Sequence, residues 1–229
     1  MIRGALGSRY GISPLGRGVR RASTGYTTWW TLDGDITSCV AAYQAKGAAD
    51  YAASKVNLVN SSLYGLSAPT ADPTFDTSYG WAFTKALKNY LVPAGLIPNA
   101  NATWSMIVRF SDGNAQMGCV STTYFNFFLN TASVEIGHGS WAGKVTNAPA
   151  TTSGVYGLAG RIGYRDGVAD ANQASGINST SNWIMGIGGL TMHGGYNDCM
   201  SGKIQACAFY NATLTAPQMA ALTLAMDAL

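Results

Sequence analysis

Ionic side chains are the scarcest ingredient of this chain. Only 11% of its 229 residues are Asp, Glu, Lys or Arg, against about 25% in an average soluble protein. Glu occurs once, at Glu135. The shortage does not signal disorder, which needs low hydrophobicity and high net charge, because 47% of the residues are hydrophobic and the net charge is +3. Long apolar runs are missing as well. No stretch approaches the about 18 uninterrupted apolar residues of a spanning helix, which argues against membrane insertion. The four cysteines, Cys39, Cys119, Cys199 and Cys207, form no C-x-x-C pair, which argues against a zinc site. Pro69, Pro73, Pro93, Pro98 and Pro149 all fall between apolar runs, so none interrupts a central strand. The surface must therefore be made polar by Asn, Ser, Thr and Gly.

The charge that exists is unevenly placed. Arg3, Arg9, Arg17, Arg20 and Arg21 put five positive charges in the first 21 residues with no acid among them. That leaves nine of the 14 basic residues against all 11 acidic ones, a net of −2 for the remainder. Residues 1–25 also hold six glycines. A secretory signal needs an apolar core of at least about seven residues, and none is present here. A mitochondrial transit peptide should be an amphipathic helix, which six glycines at about 1 kcal/mol each oppose. The segment reads as an extended docking arm: glycine permits close backbone approach, and arginine makes bidentate bonds to carboxylates. A solvated tail is the plain alternative. Nucleic-acid contact is disfavoured, because the arm lacks dense Lys/Arg and interleaved aromatics.

From Tyr26 to Leu229, short apolar runs alternate with turn residues. Thr103–Phe110, Val155–Arg165, Asn182–Leu190 and Gly202–Tyr210 are rich in β-branched and aromatic residues and bounded by Gly, Asn, Asp and Ser, which predicts strands. Asp112-Gly113 and Asp166-Gly167 read as hairpin turns, since a type I′ turn needs positive φ at both central positions. The second would pair Arg161–Arg165 with Val168 onward. Only the C-terminus predicts a clear helix. Thr215 serves as N-cap with Gln218 completing a capping box, and Met219, Leu222 and Met226 fall on one face. Ala48–Lys55 is either a short helix or a loop.

The segment GKIQACAFYNATLTAPQMAAL, residues 202–222, resembles the closing signature of laminin G-like, concanavalin A-like jelly rolls. That signature is a Gly, a strand with alternate inward apolar residues, then Tyr-Asn-x-x-Leu-Thr and a short helix. YGWAFTKALKNYLVPAGLIPNANATWSMIVRFSD is similar to the family's strand pair and central strand, GRIGYRDGVAD to its Asp-Gly hairpin, and CVAAYQAKGAADYAAS to its opening segment. The four motifs stand in the right order and span Trp29 to Leu229. The resemblance implies an all-β, antiparallel two-sheet jelly-roll sandwich over residues 26–229, with an extended N-terminal arm at 1–25 and a short C-terminal helix. It points Cys207 and Phe209 inward, which favours buried, reduced thiols over two disulfides.

Some members of this fold are glucanases. Retaining glycoside hydrolysis needs two carboxyls about 5.5 Å apart. Glu135 has no acid near it on its strand, and Asp166 and Asp170 lie across a turn, so no catalytic residue and no enzyme activity are expected. His138 and His193 sit in glycine-bounded loops without a G-x-S-x-G context and read as turn residues. The resemblance also admits Ca²⁺ bound through loop carboxylates and carbonyls. Asp33 and Asp35 are the best-spaced pair, with Asp198 as a third, though capping carboxylates in a turn explain LDGD as well. No other cofactor is expected. For glycans, Trp141 and Tyr164 are the candidate stacking faces, with Asn147 and Asp166 as polar partners; Trp141 equally fits a residue closing a sandwich edge. Trp104 and Trp183 are expected in the core.

With its Gly/Arg arm and no signal peptide, the chain resembles bacteriophage virion proteins, which implies a non-enzymatic virion structural protein, a capsid decoration or fibre component. Its arm would bind other virion proteins, its jelly roll would bind glycans, and it would be a homo-oligomer. The alternative is an extracellular carbohydrate-binding module, and a glycan hydrolase is the third.

Overall fold

The segment Gly202–Tyr210 (GKIQACAFY) is apolar on both of its faces. Every residue from Ile204 to Tyr210 is buried, with Cys207 and Phe209 in one apolar cluster and Ala206, Ala208 and Tyr210 in another. Such a strand must lie in a sheet covered front and back. The computed structural model places it there, and describes residues 26–96, 103–113, 116–120, 125–130, 135–137, 153–173, 184–192, 198–199 and 201–229.

In chain order the strands are β1 (Cys39–Gln44), β2 (Leu66–Ser67), β3 (Thr74–Asp76), β4 (Gly80–Phe83), β5 (Val92–Pro93), β6 (Ser105–Gly113), β7 (Gln116–Val120) and β8 (Phe125–Asn130). They continue with β9 (Glu135–Gly137), β10 (Gly154–Ala159), β11 (Ile162–Arg165), β12 (Val168–Gln173), β13 (Gly186–Ile187), β14 (Gly189–Met192), β15 (Asp198–Cys199) and β16 (Gly202–Tyr210). The helices are α1 (Tyr51–Ser54) and α2 (Ala216–Asp227). The larger sheet runs β12-β11-β10-β6-β16-β4-β3, with β1 also on β16. The second runs β15-β14-β7-β8-β9, with β13 on β7, and β2 pairs with β5 alone. Among the described residues, pairing is antiparallel except for β14 on β7.

Two apolar layers result. Between the sheets, Met106, Val108 and Phe110 of β6, Tyr156 and Leu158 of β10, and Cys207 and Phe209 of β16 pack with Met117 and Ile187. On the opposite face of the larger sheet, Ile107, Val155, Ala206, Ala208 and Tyr210 meet Met219, Leu222 and Met226 of α2 and Trp29, Leu32 and Ile36 of the entering chain. The protein is thus sheet on sheet with a third, helical layer. Gly157 of β10 allows that layer to sit close, since a Cβ there would stand 2.2 Å from Met219 Cε.

The helix begins where the sequence places it. Thr215 Oγ1 accepts from Gln218 N, and the Gln218 side chain accepts from Thr215 N at 2.9 Å, which is the expected capping box. Ser105 ties this turn to the sheet. Its hydroxyl donates to Ala212 O and accepts from Leu214 N, both at 2.9 Å. The Asp166-Gly167 turn is also as expected, with φ of 47° and 79° and Arg165 opposite Val168. Asp112-Gly113 is a correction. It is no turn: Asp112 pairs with Lys203 and Gly113 with Gly202, because β6 follows β16 to its end. Ala48–Lys55 forms only the single turn of α1, capped by the Asp50 carboxylate on Ala53 N at 2.7 Å. Cys39, Cys199 and Cys207 are buried, Cys39 and Cys207 as free thiols, and burial pushes the Cys39 thiol up to about 12.

One feature escapes sequence reading altogether. β1 uses one edge on β16, which leaves the other open to pairing with foreign strands. Asn57, 1% exposed, closes it. Its Oδ1 accepts from Ala42 N at 3.0 Å and its Nδ2 donates to Val40 O at 3.2 Å, while Ala42 O accepts from Leu58 N at 2.9 Å. The same side chain accepts from Val59 N at 3.0 Å and donates to Leu63 O at 3.2 Å, shaping the following loop. Asn57→Ala should cost about 1–3 kcal/mol in urea unfolding, because Ala42 N is left buried without an acceptor. Asn57→Asp keeps the acceptor but sets a buried carboxylate against Val40 O and Leu63 O, so it should cost at least as much as Asn57→Ala; equal stability of all three chains would contradict this role.

Candidate functional site

Beyond the end of α2, the outer face of the larger sheet turns polar. The change follows from irregularities in the β6–β16 ladder. Register shifts flank Ile204, so Ile204 lies in the inter-sheet core while Ala206 faces α2. A β-bulge of this kind re-aims side chains. Around it, Arg109 Nε donates to Gln205 Oε1 at 2.6 Å, and Arg109 Nη1 forms an ion pair with Asp227 Oδ1 at the last turn of α2. Beside them, Lys203 Nζ lies 3.0 Å from Asp112 Oδ2 and 4.8 Å from the centre of the Tyr79 ring.

The electrostatics of this ledge suit binding better than proton transfer. A hydrogen bond from Lys203 and its charge hold the Asp112 carboxyl below its ordinary value. Asp76 is held low chiefly by the Ser78 hydroxyl and backbone N–H, with Lys203 contributing little. Both carboxylates are therefore anionic at neutral pH, whereas a glycosidic general acid needs a raised pKa. Fixed guanidinium, amide and carboxylate groups beside a tyrosine match the mixed donors and acceptors of a polyhydroxylated ligand. The ledge does have a sequence signal: Arg109 and Gln205 are lone polar residues in the apolar strands MIVRF and KIQAC.

Of the residues singled out from sequence, the described ones form no common site. Trp141, Asn147, His138, His193 and Arg3, Arg9, Arg17, Arg20 and Arg21 lie outside the described residues. Tyr164 is a correction: it is 4% exposed, and its ring belongs to the layer under α2, so it offers no stacking face. Asp166 is exposed, but its Oδ1 accepts from Val155 N at 2.9 Å, tying the turn back to β10. Asp33 behaves as a turn cap, with Oδ1 accepting from Thr28 N at 2.9 Å and Thr28 Oγ1 at 3.0 Å. Asp35 is the C-cap of the same single 3-10 turn. Among the described residues no three His, Cys, Asp or Glu side chains group as metal ligands. Trp104 packs against the inter-sheet core, as expected; Trp183 lies outside the described residues.

No protein-family model matches the chain, and no curated protein matches it. Solved structures do. Domain 4 of AbnA, a GH43 extracellular arabinanase from Geobacillus stearothermophilus, in complex with arabinotriose, matches over 81% of this chain and 98% of its own, with a TM-score of 0.51 and 11% identity. Trypanosoma rangeli sialidase in complex with 2,3-difluoro-KDN matches over 83% of this chain, with a TM-score of 0.50 and 14% identity. This chain covers 33% of that sialidase. At such identities the likeness is one of fold, a β-sandwich.

The ledge makes an asymmetric prediction. Arg109→Leu strands Gln205 Oε1 in a residue that is 5% exposed, and should cost about 1–3 kcal/mol. Asp227→Asn breaks only the half-exposed ion pair, for which about 0.2–1 kcal/mol is typical. Urea unfolding of both variants checks the order; equal costs, or a larger cost at Asp227, would contradict the geometry.

Proposed function

We propose that this chain is a non-enzymatic structural protein of a virus particle, a capsid decoration or fibre component, whose jelly roll binds glycans and whose N-terminal arm anchors it to neighbouring subunits. The glycan part is carried by one observation: nearly the whole of a domain in complex with arabinotriose matches this sandwich. The low-held carboxylates of the ledge support binding without hydrolysis. The anchoring part draws on composition. Five arginines and six glycines lie within 25 residues attached to a body of net charge −2, a segment built to lie against carboxylates on another surface.

A second reading has its own support. The arabinotriose-complexed domain belongs to an extracellular arabinanase, which favours an extracellular carbohydrate-binding module. Formed disulfides in the natural material would favour it over the virion reading.

Two experiments test the proposal. A glycan array probed with the full chain and with Trp141→Ala should give binding that the substitution weakens; no binding by the unmodified chain removes the glycan role. Deleting residues 1–23 should abolish incorporation into particles, and unchanged occupancy removes the anchoring role.

A further inference from the structure

The helix α2 covers the larger sheet, yet it is apolar on its outer side too. Its sequence, APQMAALTLAMD, has one ionic residue, Asp227. A helix that is hydrophobic all round is ordinarily buried all round. Here Met219, Leu222 and Met226 are buried against the sheet, while Leu224 is 55% exposed. Pro217 is exposed and Ala220 half-buried between them, so these residues form one strip at helical spacing. The strip continues onto β12. The Gly167 turn packs on the helix, where a Cβ on Gly167 would stand 3.1 Å from Ala220 Cα, and the next residue, Val168, is 71% exposed.

Size and charge select what covers it. A second copy of the helix is too small a partner. Twelve residues give a strip about 18 Å long and about 10 Å wide, roughly 200 Å² against the about 800 Å² per partner of a stable interface. An extended segment that wraps the strip and its borders does better, and one starts beside it. Tyr26 packs in the same layer as Ala221 and Leu229 of the C-terminal segment, so the described chain begins in the layer that holds α2. About six extended residues at about 3.3 Å each span the helix, a fraction of the 25 available. The charges match as well. The strip is bordered by carboxylates, Asp33 and Asp35 on the turn that packs by α2 and Asp166 at the Gly167 turn, and the arm carries five arginines and no acid. Its arginines are interspersed with Ile2, Leu6, Ile12, Leu15 and Val19, which supply the apolar half of the match.

We propose that in the unassembled chain the outer strip of α2 is the seat of the chain's own N-terminal arm, whose aliphatic residues cover Leu224 and Val168 while its arginines pair with the bordering carboxylates. The inference rests on the reading of residues 1–25 as a docking arm and adds where the arm lies before it meets another subunit. Held in cis, the arm sits at high effective concentration, so assembly proceeds by transferring it from its own helix to a neighbour. Premature pairing through the apolar strip is blocked meanwhile.

Hydroxyl-radical footprinting of the full chain tests this directly. Leu63 and Leu87, 50% and 59% exposed, are internal controls away from α2. Leu224 and Val168 should be oxidised several-fold more slowly than these controls. The protection should vanish when the five arginines are replaced by Gln, and also for the unmodified chain in about 1 M salt, where the screening length falls to about 3 Å. The salt arm keeps the test valid if the substituted chain misfolds. It should also be independent of protein concentration. Oxidation of Leu224 and Val168 at the control rate in low salt overturns the proposal, and protection lost on dilution overturns it in favour of arm exchange between copies. If the arginine variant fails to enter particles while the footprint is unchanged, the anchoring role stands and the seat on α2 falls.

Discussion

The larger sheet is packed on both faces, and the rest of the molecule is arranged around that constraint. A charge placed anywhere from Ala206 to Tyr210 would be buried on whichever side it pointed, at a cost far above the stability of a domain unless paired. The scarcity of ions is the sequence-level imprint of this arrangement. Phe110, Tyr156 and Phe209 fill the gap between the sheets, which at about 10 Å needs large side chains. Ala42, Ala206, Ala208 and Gly157 line the side under α2 and the entering chain, where a helix must come close.

Function is pushed outward by the same constraint. Burial drives the Cys39 and Cys207 thiols up, which leaves them inert as nucleophiles. Polar groups gather where the double covering ends, at the β16 bulge with Arg109, Gln205 and Lys203, and their charges are already paired. The fold by itself names no particular glycan and no partner. The proposed anchoring and glycan binding are assigned to the basic arm and to the segment around Trp141.

How much of this was legible in the sequence depends on how local each signal is. The capping box at Thr215 and Gln218, the Asp166-Gly167 turn and the inward pair Cys207 and Phe209 were all readable, because each is settled within a few residues. Asp112-Gly113 looked like a turn by the same rule and is not one; ladder pairing with Gly202, about 90 residues away, overrides it. Tyr164 looked like a surface aromatic, and only the return of α2 across β10 buries it. The ledge joins Arg109 to Gln205 and Asp227, 96 and 118 positions on. Asn57 is a single amide in a polar loop, and nothing in its neighbours announces that it completes a strand edge.

The most direct test of the doubly covered sheet is native-state hydrogen exchange. If α2 is a structural layer and not an appendage, its amides and those of β16 should exchange together, at the free energy of global unfolding. Exchange of α2 orders of magnitude faster than β16 would mean that the sheet stands without the helix, and would contradict the account of why this chain carries so little charge.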